Sequence, residues 1–305
     1  MPVHLTPLTS LDHAMGQTFA TPELLRLGTT KSELRRWCRD GEATRIRRGA
    51  VRLGPDVDAR EHQLDLIAVT MPLLREGSVL SHWSAAAMWG MPMPARRETQ
   101  VWVTRGDRIG AHSRTVLHVL NCPVPPEDVA FHDGMLLTTP ARTVVDLARK
   151  AGFKHGVRAA DAVLHRRLCD TSDLEAALVS ARGRPGVSIA RAVVAFADGR
   201  SESPGESDAR ILMARAGIPS PVLQFTIRDP RTGRFVARCD FAWPAHRLVG
   251  EYDGASKYGA LLTPGQSPSD AVLAEKRREA AIRDAGWWII RWTKEDLRDQ
   301  RRFRD

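Results

Sequence analysis

Apolar positions along the chain follow the helical period first. Leu24, Leu25 and Leu27 come after Thr21-Pro22, a capping residue with proline at the first helical position, and Gly28 closes the segment. Leu34, Trp37 and Cys38 repeat the period in KSELRRWCRDG, which ends on Gly41. In EATRIRRGAVRLG, Ile46, Ala50, Val51 and Leu53 suit two short strands turned at Gly49. Helix, turn, helix and short hairpin, in that order, predict a winged helix-turn-helix head over residues 1–55, with residues 1–20 as a loose arm.

Residues 56–197 alternate between both periods. SHWSAAAMWG (81–90) reads as a small-residue helix, TQVWVTR (99–105) and TVLHVL (115–120) as strands, and LLTTPARTVVDLARK (136–150) as a helix start capped by Thr139. Two more helices follow at 157–168 and 173–182, so this stretch is expected to be an α+β connecting domain that braces its neighbours. The polar, Gly/Ser/Pro-rich DGRSESPG (198–205) marks a boundary. Beyond it come a helix closed by Gly217, strands at 222–228, 234–243 and 247–254, a loop, a long amphipathic helix at 270–286, a strand at 287–292 and a short helix. Residues 198–305 thus predict a small αβββαβ domain, and the whole chain a multidomain mixed α/β protein. Trp287, Trp288 and Trp292 are expected in its core.

Composition narrows the partners. A net charge of +9 in 305 residues favours a polyanion, because Lys and Arg release counterions from phosphates. Cys38, Cys122, Cys169 and Cys239 are scattered and form no CxxC pair, which argues against a zinc site of that type and a disulfide scaffold. The N-terminus lacks the charge and apolar run of a signal peptide, and no apolar run nears the roughly 18 residues of a membrane span. The expected setting is the cytoplasm, with no membrane partner. HExxH, GxSxG, Walker A and GxGxxG patterns do not occur.

The charge is concentrated in the head. Lys31, Arg35, Arg36 and Arg39 lie on one broad helical face opposite Leu34, Trp37 and Cys38, and Arg45, Arg47 and Arg48 crowd the turn that follows. A basic helix beside a basic turn suits a recognition helix in the major groove with a wing on the DNA backbone. The run from Thr21 to Leu53, with RRWCRDGEATRIRRGAVRL, resembles the N-terminal domain of AbiEi-like antitoxins. SVLSHWSAAAMWGMP (78–92) and LLTTPARTVVDLA (136–148) are similar to pieces of the longer proteins that carry this head. The resemblance implies binding to the promoter of the protein's own operon and a cognate toxin as a further partner.

The last third offers a set of carboxylates. Phosphodiester hydrolysis with Mg²⁺ needs two or three converging carboxylates and a nearby cation. Asp240 and Glu251 fall on strands joined by a tight turn, within diagonal reach, and Asp253 shares the face of Glu251. Glu206 opens the preceding helix, where an acid also suits the helix dipole, and Lys257 follows the strand. Acids embedded among Cys239, Phe241, Trp243, Leu248 and Val249 need a partner, a proton or a metal. Residues 202–299 resemble the Vsr-like branch of the PD-(D/E)xK nucleases, on ARCDFAWP, LVGEYDGASKY and EKRREAAIRDAGWWIIRWT. The resemblance implies Asp240 and Glu251 as Mg²⁺ ligands and Glu206 as the helix acid. One departure stands out: Asp253 occupies the place of the motif lysine, so Lys257 or Lys276 would have to supply the cation. Two functions follow: a Mg²⁺-dependent DNA endonuclease, or an antitoxin-like transcriptional repressor whose nuclease-type fold is inactive.

Overall fold

A computed structural model describes residues 15–106, 112–254, 268–298 and 303. The chain is a mixed α+β protein that falls into two compact units, Met1–His155 with Ser172–Arg191, and Gly156–Thr171 with Ala192–Asp305. Among the described residues no helix is long and apolar enough to cross a membrane.

In the first unit, α1 (Thr21–Arg26) and α2 (Lys31–Asp40) precede a hairpin of β2 (Ala43–Arg47) and β3 (Ala50–Leu53). Thr30 caps α2 by accepting from the Glu33 amide at 3.2 Å, while the Glu33 carboxylate accepts from the Thr30 amide at 2.7 Å. Gly41 at φ +77° ends the helix in the left-handed region that glycine enters without strain. The pattern missed β1 (Thr18–Ala20) inside the expected arm; it pairs antiparallel with β3 and makes the sheet three-stranded. The unmarked α3 (Ala59–Thr70) binds this sheet through Asp65, which accepts from Thr18 at 2.6 Å and Arg52 at 3.0 Å.

A six-stranded sheet forms the rest of this unit, ordered β6-β7-β5-β4-β9-β8. Its strands are β4 (Val79–Leu80), β5 (Val101–Arg105), β6 (His112–Arg114), β7 (Leu117–Asn121), β8 (Val129–His132) and β9 (Met135–Thr138). Helices α4 (His82–Met88) and α5 (Pro140–Ala151) accompany it; of the helices that follow, α6 (Phe153–His165) falls mostly in the second unit, α7 (Thr171–Ser180) in the first, and α8 (Val187–Phe196) is divided between them at Arg191. The stretch read as one helix start at 136–150 is a strand and then a helix. Thr139 alone separates them, and its side chain accepts from the Arg142 amide. Leu66, Ile67, Leu80, Ala85, Val101, Val103 and Leu137 make the core, joined by Ile46 from β2.

The second unit holds a four-stranded sheet ordered β10-β11-β12-β13: β10 (Val222–Arg228), β11 (Phe235–Trp243), β12 (Leu248–Asp253) and β13 (Trp288–Thr293). The first two pairings are antiparallel and the last is parallel. Successive residues of β12 alternate between two cores. Val249 joins Ile282 of α10 (Pro268–Asp284) and Ala285 just beyond it, whereas Leu248 joins Ala209 and Met213 of α9 (Pro204–Arg215). The two helices therefore cover opposite faces of the sheet. Trp287 and Trp292 are buried as expected, but Trp288 is 72% exposed: it lies at the start of the edge strand β13.

Candidate functional site

Three groups of residues bear chemistry. The first is the head. Lys31, Arg35, Arg36 and Arg39 are exposed along α2, with Leu34 and Trp37 buried behind them. Arg45 and Arg48 are exposed on the β2–β3 hairpin, which turns at Gly49 with φ +82°. Arg47 departs from the expected set. Its guanidinium turns inward and donates to the Val69 carbonyl of α3 at 2.6 Å and to the Arg48 carbonyl at 3.0 Å. A side chain spent on a helix-end carbonyl ties the wing to α3 and is not available as a surface cation.

The second group is the carboxylate set. Glu206 is buried in the first turn of α9 and accepts from the Glu202 amide at 2.9 Å, the Ser203 hydroxyl at 2.7 Å and the Gln224 side-chain amide at 3.0 Å. Ser203 in turn accepts from the Glu206 amide, so the acid completes the cap of its own helix. Burial, with a smaller push from the Asp240 carboxylate, raises the Glu206 pKa. Gln224 holds a left-handed backbone at φ +52°, rare for a residue with a side chain, and no spacing rule in the sequence signals it. The β11–β12 ladder runs from Trp243–Leu248 to Phe241–Gly250; at the next step the Tyr252 amide donates to Asp240 Oδ2 at 2.9 Å.

Glu251 faces α10 with Val249. Arg278 grips both of its oxygens, and Arg291 Nε reaches Oε2 at 3.2 Å. Desolvation alone would raise this carboxyl, but the two guanidiniums hold it below its ordinary value. Burial and the neighbouring Glu251 carboxylate push the Cys239 thiol up to about 12. Asp253 does share the face of Glu251, with its carboxylate 4.0 Å from Arg291 Nε. Lys257 lies outside the described residues. Of the basic residues on α10, Arg278 points to the sheet whereas Lys276 and Arg277 are exposed.

As arranged, this donor set does not fit Mg²⁺. The ion requires carboxylate lone pairs directed at it in near-octahedral order. Here the Glu251 oxygens meet two fixed positive charges, and those of Glu206 meet three N–H or O–H donors.

The third group went unrecognised in the sequence. Arg142 is 1% exposed and is held between Asp128 at 2.7 Å and Asp146 at 2.9 Å, while Arg149 takes the other oxygen of Asp146 at 2.9 Å. Ser84 Oγ accepts from the Trp102 amide at 2.8 Å and from Gln63 at 2.9 Å, locking α4 to β5. Buried His82, at φ +48°, stacks on Trp102 with ring centres 5.2 Å apart, and His118 lies 4.0 Å from the same indole. Burial lowers the His82 pKa to about 4. The available signal was Arg142 and Asp146 at i and i+4 in the run 141–148, which is apolar apart from them and Thr143 and where a charge demands a partner.

This third group lies in the segment that likeness to known proteins singles out. Residues 79–195 match the family model described as the AbiEi antitoxin C-terminal domain. The match takes in 136–148 and nearly all of 78–92, the stretches similar to pieces of AbiEi-like proteins, and leaves the basic head and the carboxylate set outside it. Two uncharacterized proteins of Mycobacterium tuberculosis, one from each of two strains, are each 37% identical to this chain over 165 residues, 54% of this chain and 57% of theirs. The chain thus spans a little over half the length of these relatives.

Proposed function

We propose that this protein is an antitoxin-like DNA-binding regulator that docks its head on duplex DNA. In this reading α1, α2 and the β2–β3 hairpin are a winged helix, with α2 in the major groove and the wing on the backbone. The observation that carries it is the exposed cationic face: Lys31, Arg35, Arg36 and Arg39 with Arg45 and Arg48. The match to the AbiEi antitoxin C-terminal domain supports the regulatory role, and with it promoter binding in the cytoplasm and a toxin as partner. The order αβββαβ over α9 to β13 supports a nuclease-type fold for the C-terminal part, used without phosphodiester cleavage.

Fluorescence anisotropy of the full chain on duplex DNA from upstream of its own gene, titrated at several salt concentrations, tests this. Each of Arg35→Ala, Arg39→Ala and Arg48→Ala should weaken binding and flatten the dependence of log affinity on log salt by about 0.9 for each phosphate contact removed. Variants that fold normally and bind with the wild-type affinity and salt slope would refute the docking face.

A further inference from the structure

Of the acids that would form a nuclease metal centre, Glu251 is held between two arginines. From α10, Glu275, Arg278 and Glu279 project at i, i+3 and i+4, so they share one helix face. Arg278 grips Glu251, donates to Glu275 at 3.2 Å and caps the Arg238 carbonyl of β11 at 3.2 Å. Arg291 of β13 fans out to Glu251 at 3.2 Å, to Glu279 at 3.0 Å and to Glu275. Two elements, α10 and β13, thus converge on one carboxylate of β12 that is 6% exposed. A metal ion entering here would need Glu251 to release both guanidiniums, leaving two half-buried cations beside a dication. That exchange is uphill on electrostatic grounds, because like charges at contact distance repel strongly in a partly desolvated site.

We infer that Glu251 anchors an arginine clamp that fastens α10 to β11, β12 and β13, and that this clamp stands in place of a divalent-metal site. Asp253 follows from the same arrangement. A lysine there would add a third cation beside Arg291, whereas the aspartate adds a carboxylate on its side.

The test uses the full chain and two readouts. Mn²⁺ is titrated into wild type and Glu251→Gln, and free Mn²⁺ is followed by electron paramagnetic resonance. Thermal unfolding is followed in EDTA and in millimolar Mg²⁺. Wild type should bind no Mn²⁺ that Glu251→Gln abolishes, and its Tm should be the same in EDTA and Mg²⁺. Glu251→Gln should lower the Tm by roughly 3–8 °C, because the two half-buried guanidiniums lose the buried carboxylate that joins them and keep only the outer acids Glu275 and Glu279. Should that variant fail to fold, Arg278→Lys, which keeps the charge and loses the fork, should show a smaller fall. One equivalent of Mn²⁺ lost on Glu251→Gln, a Tm raised several degrees by Mg²⁺, or an unchanged Tm in Glu251→Gln would each overturn the clamp.

Discussion

Arg142 sits in the interior of the first unit with nearly all of its surface covered, and its charge is tolerable only because Asp128 and Asp146 face it. Arg142→Ala leaves two carboxylates buried without their cation, so urea denaturation should show a loss of about 3–5 kcal/mol. His82 gives a pH dependence of definite sign. Its pKa of about 4 in the folded chain lies below the 6.5 of an unfolded one. Desolvation is the main cause; Asp146 opposes it, and Arg149, Arg142 and His118 add to it. A depressed histidine contributes stability that is whole above pH 6.5 and is lost as pH falls towards 4, because the unfolded chain takes up the proton first. The loss should be about 3 kcal/mol over that window. His82→Asn, which tolerates the left-handed backbone, should flatten stability between pH 6.5 and 4 when measured by chemical denaturation at each pH.

Elements sort their residues by where the neighbouring layer ends. β13 is an edge strand, and its tryptophans meet different fates on it. Trp292 is buried, 5.3 Å from the Phe241 ring, and rests on Gly250, where a methyl group would collide with the indole. Trp288, opposite Leu248, lies largely in solvent. Trp292→Ala should therefore cost about 3–5 kcal/mol, and Trp288→Ser no more than about 0.5 kcal/mol, in paired denaturation curves. α2 is the converse case: Leu34 and Trp37 face inward, so Lys31, Arg35, Arg36 and Arg39 have only the outer side to occupy. The salt-slope prediction for DNA belongs to this element, since it counts the cations that a single helix and its wing present.

For the molecule as a whole, the net charge of +9 pointed to a polyanion, and the outward cations of the head are consistent with that direction. Helix α2, the β2–β3 hairpin, α9 and β10 to β13 are legible in the sequence, because period, caps and turn glycines are local properties within a few residues of one another. Helices α3 and α8 were not. The apolar face of α3 carries buried His62 and Gln63, which blurs its period, and α8 is apolar nearly all round. The acids of the C-terminal unit could be located on their strands, but not paired. Glu251 meets Arg278 27 positions away and Arg291 40 positions away, and Arg47 meets Val69 22 positions away. Spacing along the chain therefore told which residues had to find partners, since a charge in an apolar run cannot stay bare. Which partner each one took, two guanidiniums for Glu251 and a helix carbonyl for Arg47, came from packing, because a long side chain chooses among groups that folding brings near it from distant parts of the chain.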